Sequence, residues 1–118
     1  MTKADKNIVK EHIYEEYDGD WLDSKSHGVG TYKKINFQLK QKGDYFEEVY
    51  SGEWYNCLKH GKGEETFANG DNYKGEYHMG YPQGLGTYTY KNKNVYHGYF
   101  LVGKKNGHGK LTYVNSKT

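Results

Sequence analysis

Tyr50-Ser51-Gly52-Glu53-Trp54, with His60-Gly61-Lys62-Gly63 after it, and Tyr73-Lys74-Gly75-Glu76-Tyr77, with Gln83-Gly84-Leu85-Gly86 after it, decide how this chain folds. The second stretch restates the first 23 residues later. The same arrangement recurs downstream as Tyr96, Gly98, Phe100, Gly107 and Gly109, and upstream as Tyr17, Gly19, Trp21, Gly28 and Gly30. In every copy a tyrosine stands two residues before a glycine and an aromatic two residues after it; nine residues on comes a Gly-x-Gly pair. Self-similarity at a fixed period marks a repeat architecture. Period-two spacing within each copy is that of a strand with one face aromatic or glycine. Two arms joined by a short loop form a hairpin, so four copies predict a continuous antiparallel meander of about eight strands.

Glycine inside a strand costs stability and marks a close approach of another group. Here it is expected to bare the backbone on the inner face so that a ring can lie flat over it. Gly80 and Gly103 are one period apart and fit the hairpin loops, where Ser24 and Cys57 hold the same place. Asn69-Gly70 reads as a two-residue turn between copies, with Asn92-Lys93 as its weaker equivalent. Trp54→Ala is expected to unfold the array more than Phe100→Ala, because Trp54 is central with hairpins on both sides while Phe100 lies in the terminal copy.

Composition agrees with an all-β chain holding a thin aromatic core. Of the 118 residues, Leu, Ile, Val and Phe supply 16%, while the 20 aromatic residues outnumber the 17 of Ala, Val, Ile and Leu. Each ring removes roughly 150–250 Å² from water and can replace aliphatic burial. Bundles and doubly wound sheets need an aliphatic interior and are set aside.

The whole pattern over residues 14–113 resembles the MORN repeat (membrane occupation and recognition nexus). The resemblance implies an elongated, twisted single-layer antiparallel meander of stacked β-hairpins: four copies of period 23 and one ten-residue insertion between the first and second. Phe100 departs from the usual Trp or Tyr, and Gln83 and Asn106 stand where His27 and His60 stand. Residues 1–13 read as a charged leader and 114–118 as a tail. Arrays of this kind occur in junctional membrane proteins, phosphoinositide kinases, radial-spoke heads of cilia and protist cytoskeletal scaffolds.

Catalytic and cofactor readings find little support. The stretch Gly98 to Lys105 is one residue short of a phosphate-binding loop and lacks a βαβ setting. The histidines lack the helical spacing of zinc hydrolases; His27 and His60 share one repeat position, where a ring donor would steady the hairpin end. Asp20, Glu53 and Glu76 also share one position, with Tyr99 in the fourth copy, and are expected on the solvated face opposite the aromatics. Nothing marks a base beside Cys57 or Ser24. No enzyme activity, cofactor or metal is expected.

Partners are read from charge and from the insertion. Residues 1–76 carry 11 lysines and 15 acids, whereas 77–118 carry six lysines and no acid. That gradient points to an acidic protein surface, or to anionic lipid, at the C-terminal end. All 17 basic residues are lysine, which disfavours nucleic acid, where bidentate arginine contacts are preferred. Lys104 and Lys105 are expected in a hairpin loop at one edge, Lys91 and Lys93 at the opposite edge, with Lys110 nearby. The insertion is expected to lengthen the hairpin over residues 33–49 into a two-stranded projecting finger, displaying Phe37, Leu39, Tyr45 and Phe46, with a turn at Lys42-Gly43; folding back over the core is the alternative. A single cysteine and a charged N-terminal stretch without an apolar run fit an intracellular rather than a secreted chain. No stretch approaches the roughly 20 apolar residues of a membrane span. The expected role is a non-catalytic scaffold for protein–protein interaction in the cytoplasm, in a cytoskeletal or ciliary assembly, with peripheral binding of anionic lipid as the alternative and homo-oligomerisation left open.

Overall fold

A computed structural model describes residues 11–38 and 45–114. They form one antiparallel sheet of eight strands in sequence order: β1 (Glu11–Leu22), β2 (Lys25–Gln38), β3 (Tyr45–Tyr55), β4 (Leu58–Thr66), β5 (Asn72–His78), β6 (Tyr81–Thr89), β7 (Val95–Leu101) and β8 (Lys104–Thr112). The sheet is a single layer, 21 Å across its shortest axis. Each copy is one hairpin closed by two residues at positive φ, for example Asn56 (48°) with Cys57 (70°) and Val102 (49°) with Gly103 (80°). Such primed turns match the right-handed twist of the flanking strands.

Glycines occupy one transverse line. Gly19 pairs Gly30, which pairs Gly52, and the ladder continues through Gly63, Gly75, Gly86 and Gly98 to Gly109. Over this bare backbone lie the repeat tyrosines. The Tyr50 hydroxyl donates to the Glu53 carbonyl at 2.8 Å and Tyr73 to that of Glu76 at 2.8 Å. A Cβ on Gly63 would stand 2.3 Å from the Tyr50 hydroxyl oxygen, and one on Gly52 would stand 2.5 Å from the Gly63 Cα. Neither position admits a side chain.

The first glycine of each pair has a different duty. Past Gly19 the register jumps, so that His27-Gly28-Val29 span the single residue Asp20, and the jump recurs in every copy. Gly28, Gly61, Gly84 and Gly107 take φ of 82°, 74°, 93° and 73° at the centre of these bulges. Bulging frees a backbone donor, and a carboxylate meets it: Asp20 Oδ2 accepts from the Val29 N–H at 3.1 Å and Glu76 Oε1 from that of Leu85 at 3.2 Å. Asp20 and Glu76 lie exposed on the face opposite the aromatics, as expected, and from there they also hold the bulge together.

Three expectations are corrected. The extension at the first connection is three-stranded. β2 and β3 remain paired out to Phe37 and Tyr45, but β1 runs alongside to Glu11 opposite Gln38, satisfying the outer backbone groups of β2. Glu11–Ile13 therefore lie in the sheet. Lys104 and Lys105 are the first residues of β8, because the turn needs only Val102 and Gly103. The coverage assumed in ranking Trp54→Ala above Phe100→Ala is also reversed. Phe100 is 5% exposed, packed on Tyr73 and Tyr96, whereas Trp54 is only half-buried. Copy 3 covers Phe100 closely, while copy 1 leaves open space beside Trp54.

Candidate functional site

Three surfaces can meet a partner. On the aromatic face, one transverse row runs Tyr17, Tyr32, Tyr50, Glu65, Tyr73, Tyr88, Tyr96, Leu111. Beside it, T-shaped ring pairs 5.0–5.3 Å apart join Tyr50 to Trp54 and Tyr77, Tyr73 to Tyr77 and Phe100, and Tyr96 to Phe100. Tyr50, Tyr73, Tyr77, Tyr96 and Phe100 form the buried core. Burial pushes the Tyr73 phenol up to about 12, and raises those of Tyr50, Tyr77 and Tyr88 further; the Glu65 carboxylate adds to the rise at Tyr77, and a bond to Asp71 at Tyr88. These hydroxyls stay protonated at neutral pH and serve as structural donors.

Glu65 interrupts that row and is buried. It accepts from Lys59 Nζ at 2.8 Å and from the Tyr77 hydroxyl at 2.9 Å. Asp71 is buried too; it accepts from the Tyr88 hydroxyl at 2.7 Å and the Lys91 backbone N–H at 2.8 Å, joining the turns between copies. Neither acid was picked out as structural from the sequence. A signal existed for Glu65, since the same position holds Tyr32, Tyr88 and Leu111 in the other copies. A charged residue there needs a partner, and Lys59 stands where the other copies have Ser26, Pro82 and Lys105.

The second surface is the end of the sheet where all four intra-copy turns lie. Leu22, Tyr55, Leu58, Met79, Tyr81, Leu101 and Val102 are exposed along it, at 37–55% of their area. His27 and His60 steady this end as acceptors, not donors. Their Nδ1 atoms take the backbone N–H groups of Asn56 at 3.3 Å and Met79 at 3.4 Å, in the next hairpin's turn, because turn N–H groups there are free to donate. This apolar row is not legible in the sequence, since each residue looks like an ordinary strand end and only the shared turn geometry lines them up.

The third surface is basic. Lys91 and Lys93 are exposed in the turn after β6, at the end opposite the apolar row, as expected. Lys104, Lys105 and Lys110 lie on β8, which is exposed throughout. Lysines on an edge strand also discourage unwanted pairing of that edge. Lys105 Nζ stands 5.2 Å from the Tyr90 ring centroid and 5.5 Å from that of Tyr96, so its charge is directed onto the aromatic face. The five lysines do not form one patch. Of the finger residues, Leu39 and the Lys42-Gly43 turn lie outside the described residues; Phe37, Tyr45 and Phe46 have their backbones in β2 and β3.

Among the described residues no three His, Cys, Asp or Glu are grouped to hold a metal ion, and no helix is long and apolar enough to cross a membrane. Compared with known families, residues 17–36, 50–72, 73–95 and 96–118 each match the MORN repeat. No curated protein matches the chain.

Proposed function

This chain belongs to the MORN-repeat family, and from that premise we propose that it is a non-catalytic scaffold that binds another protein along the turn-end apolar row, within a cytoskeletal or ciliary assembly. One observation carries the reading. Two-residue turns are ordinarily polar, yet here Met79 and Val102 occupy turn positions at φ of 49°, a region costly to a β-branched side chain such as Val102. Apolar residues are kept there at a conformational cost and aligned by the repeat into a contiguous strip, and such strips mark interaction sites. MORN repeats are associated with protein or membrane-lipid interaction; the cytoskeletal or ciliary setting follows only the roles the family is used in.

Peripheral binding to anionic lipid is the second reading, favoured by the six lysines and absent acids of residues 77–118. The experiment is affinity capture from cytoskeletal extract with the intact chain and with Leu58→Ser/Met79→Ser/Leu101→Ser, alongside sedimentation with phosphatidylserine vesicles at two salt concentrations. Loss of a specific partner in the triple variant at unchanged melting temperature supports the scaffold. Salt-sensitive vesicle binding that the triple variant retains, with no protein captured, overturns it in favour of lipid.

A further inference from the structure

One position of the aromatic face varies among the four hairpins, holding Ser26, Lys59, Pro82 and Lys105, which pair across their hairpins with Trp21, Trp54, Tyr77 and Phe100 respectively. Where the residue is lysine, its ammonium lies over the copy's own tyrosine. Lys59 Nζ is 5.5 Å from the Tyr50 centroid and Lys105 Nζ 5.5 Å from that of Tyr96. Both distances fall within the roughly 6 Å at which a cation is attracted to a ring face.

Copy 1 keeps the rings but lacks the cation. Tyr17 and Tyr32 are present, and Ser26 is too short to cover them. A pocket of about 390 Å³ opens there, lined by Tyr17, Trp21, Ser26, Tyr32, Trp54, Cys57 and Lys59. Ring contacts order its walls, of which Trp21 is itself 60% exposed. Tyr17 holds Trp21 and Trp54 edge-on at 4.9 Å and 5.4 Å, and the Trp54 Nε1–H donates to the Gly30 carbonyl at 3.0 Å. Lys59 does not repel a cation strongly, because Glu65 neutralises it at 2.8 Å. Burial pushes the Tyr32 phenol up, and the nearby carboxylates of Glu15 and Glu48 add to the rise. Acids outnumber lysines by four over residues 1–76, so the surrounding field also favours positive charge.

We propose that this pocket binds the ammonium head of a lysine side chain presented by a partner polypeptide, which takes the place that Lys59 and Lys105 fill in copies 2 and 4. The proposal deepens the scaffold reading, on which it rests, by adding a site with defined chemistry. An N-methylated ammonium fits best: methylation keeps the charge while removing N–H groups, and copy 1 has Tyr32 where copy 2 offers the Glu65 carboxylate. Copy 4 shows that rings alone suffice, since Leu111 occupies that place beneath Lys105.

Both tryptophans of the chain line the pocket, so intrinsic fluorescence reports occupancy directly. The full chain is titrated with three short peptides identical except for a central lysine, trimethyllysine or norleucine. Trimethyllysine is expected to bind at least about ten-fold more tightly than the neutral norleucine, with lysine between them, in line with a desolvated cation–π contact. Ser26 is buried, so Ser26→Lys has to extend into the pocket, supplying the cation from within, and should abolish the response at a retained melting temperature; Trp21→Ala, at an exposed wall, should cut trimethyllysine binding without unfolding the chain, and an undiminished titration there overturns the proposal as well. Equal binding of norleucine, no response to any peptide at millimolar concentration, or an undiminished response in Ser26→Lys overturns the proposal. Because the probes are free peptides, their failure leaves partner capture by the apolar row unaffected, and failure of that capture leaves the peptide result standing.

Discussion

Replacing Gly63 by alanine tests the central steric relationship of the sheet. The added Cβ would fall 2.3, 2.5 and 2.6 Å from the hydroxyl oxygen, Cε1 and Cζ of Tyr50. Tyr50 is 1% exposed and cannot swing aside without leaving the core. Displacing it breaks the 2.8 Å bond to the Glu53 carbonyl and the edge-on contacts with Trp54 and Tyr77 at 5.0 and 5.1 Å. The bond contributes about 0.5–1.5 kcal/mol and each ring pair about 0.5–1.5 kcal/mol beyond area burial. Loss of most of the ring's packing should therefore cost about 3–5 kcal/mol, the range for truncating a buried large aromatic. The decisive measurement is a double-mutant cycle by urea denaturation. Gly63 has no positive φ, so once Tyr50→Ala has removed the ring, Gly63→Ala should cost less than about 1 kcal/mol and could gain slightly from a stiffer unfolded chain. If Gly63→Ala costs the same in both backgrounds, the glycine is not there for the tyrosine and the account of the ladder fails.

Glu76→Ala removes the acceptor for the Leu85 N–H and should cost about 1 kcal/mol by thermal melting, whereas Lys62→Ala, across from it on the exposed face, should fall within about 0.5 kcal/mol. Lys59→Met strands the Glu65 carboxylate in the core and should destabilise by about 1–3 kcal/mol, less than a fully buried pair because Lys59 is partly exposed; Lys33→Met, in the exposed pair with Glu47, should change stability by less than about 1 kcal/mol. Alkali should unfold the chain cooperatively. Buried phenols such as Tyr73 hold their protons to about 12 folded but release them near 10 unfolded, so their contribution is intact below pH 10 and is lost as pH rises toward 12. Beyond the share contributed by the solvent-exposed tyrosines, tyrosinate absorbance should rise in a step coincident with loss of the sheet signal; ionisation of the buried share without unfolding would contradict the burial of these rings.

Much of the fold was legible because each local signal agreed with every other. Tyr-x-Gly-x-aromatic and Gly-x-Gly carry strand period, turn spacing and ring packing at once, and the 23-residue recurrence fixes the strand order, since each hairpin can cover its aromatic face only against its neighbours. The candidate surfaces were less legible. Lys91 and Lys93 fell at the expected end because turn residues are set by hairpin length, whereas Lys105 was misplaced into a loop because the strand resumes after two residues at positive φ.

Sequence by itself determined the repeat, the eight-strand meander, the aromatic face and the glycine line beneath the tyrosines, because these follow from local periodicity and sterics that each copy restates. Tertiary structure decided what depends on neighbours across the sheet. It set Glu65 against Lys59 and Tyr77, gave Asp20 and Glu76 a bulge donor to accept, added β1 to the extended hairpin, and left open the ring-lined space where copy 1 meets copy 2. The physical reason is that a repeat fixes the position a residue occupies, while its burial, partner and charge environment come from the side chains that adjacent strands bring over it.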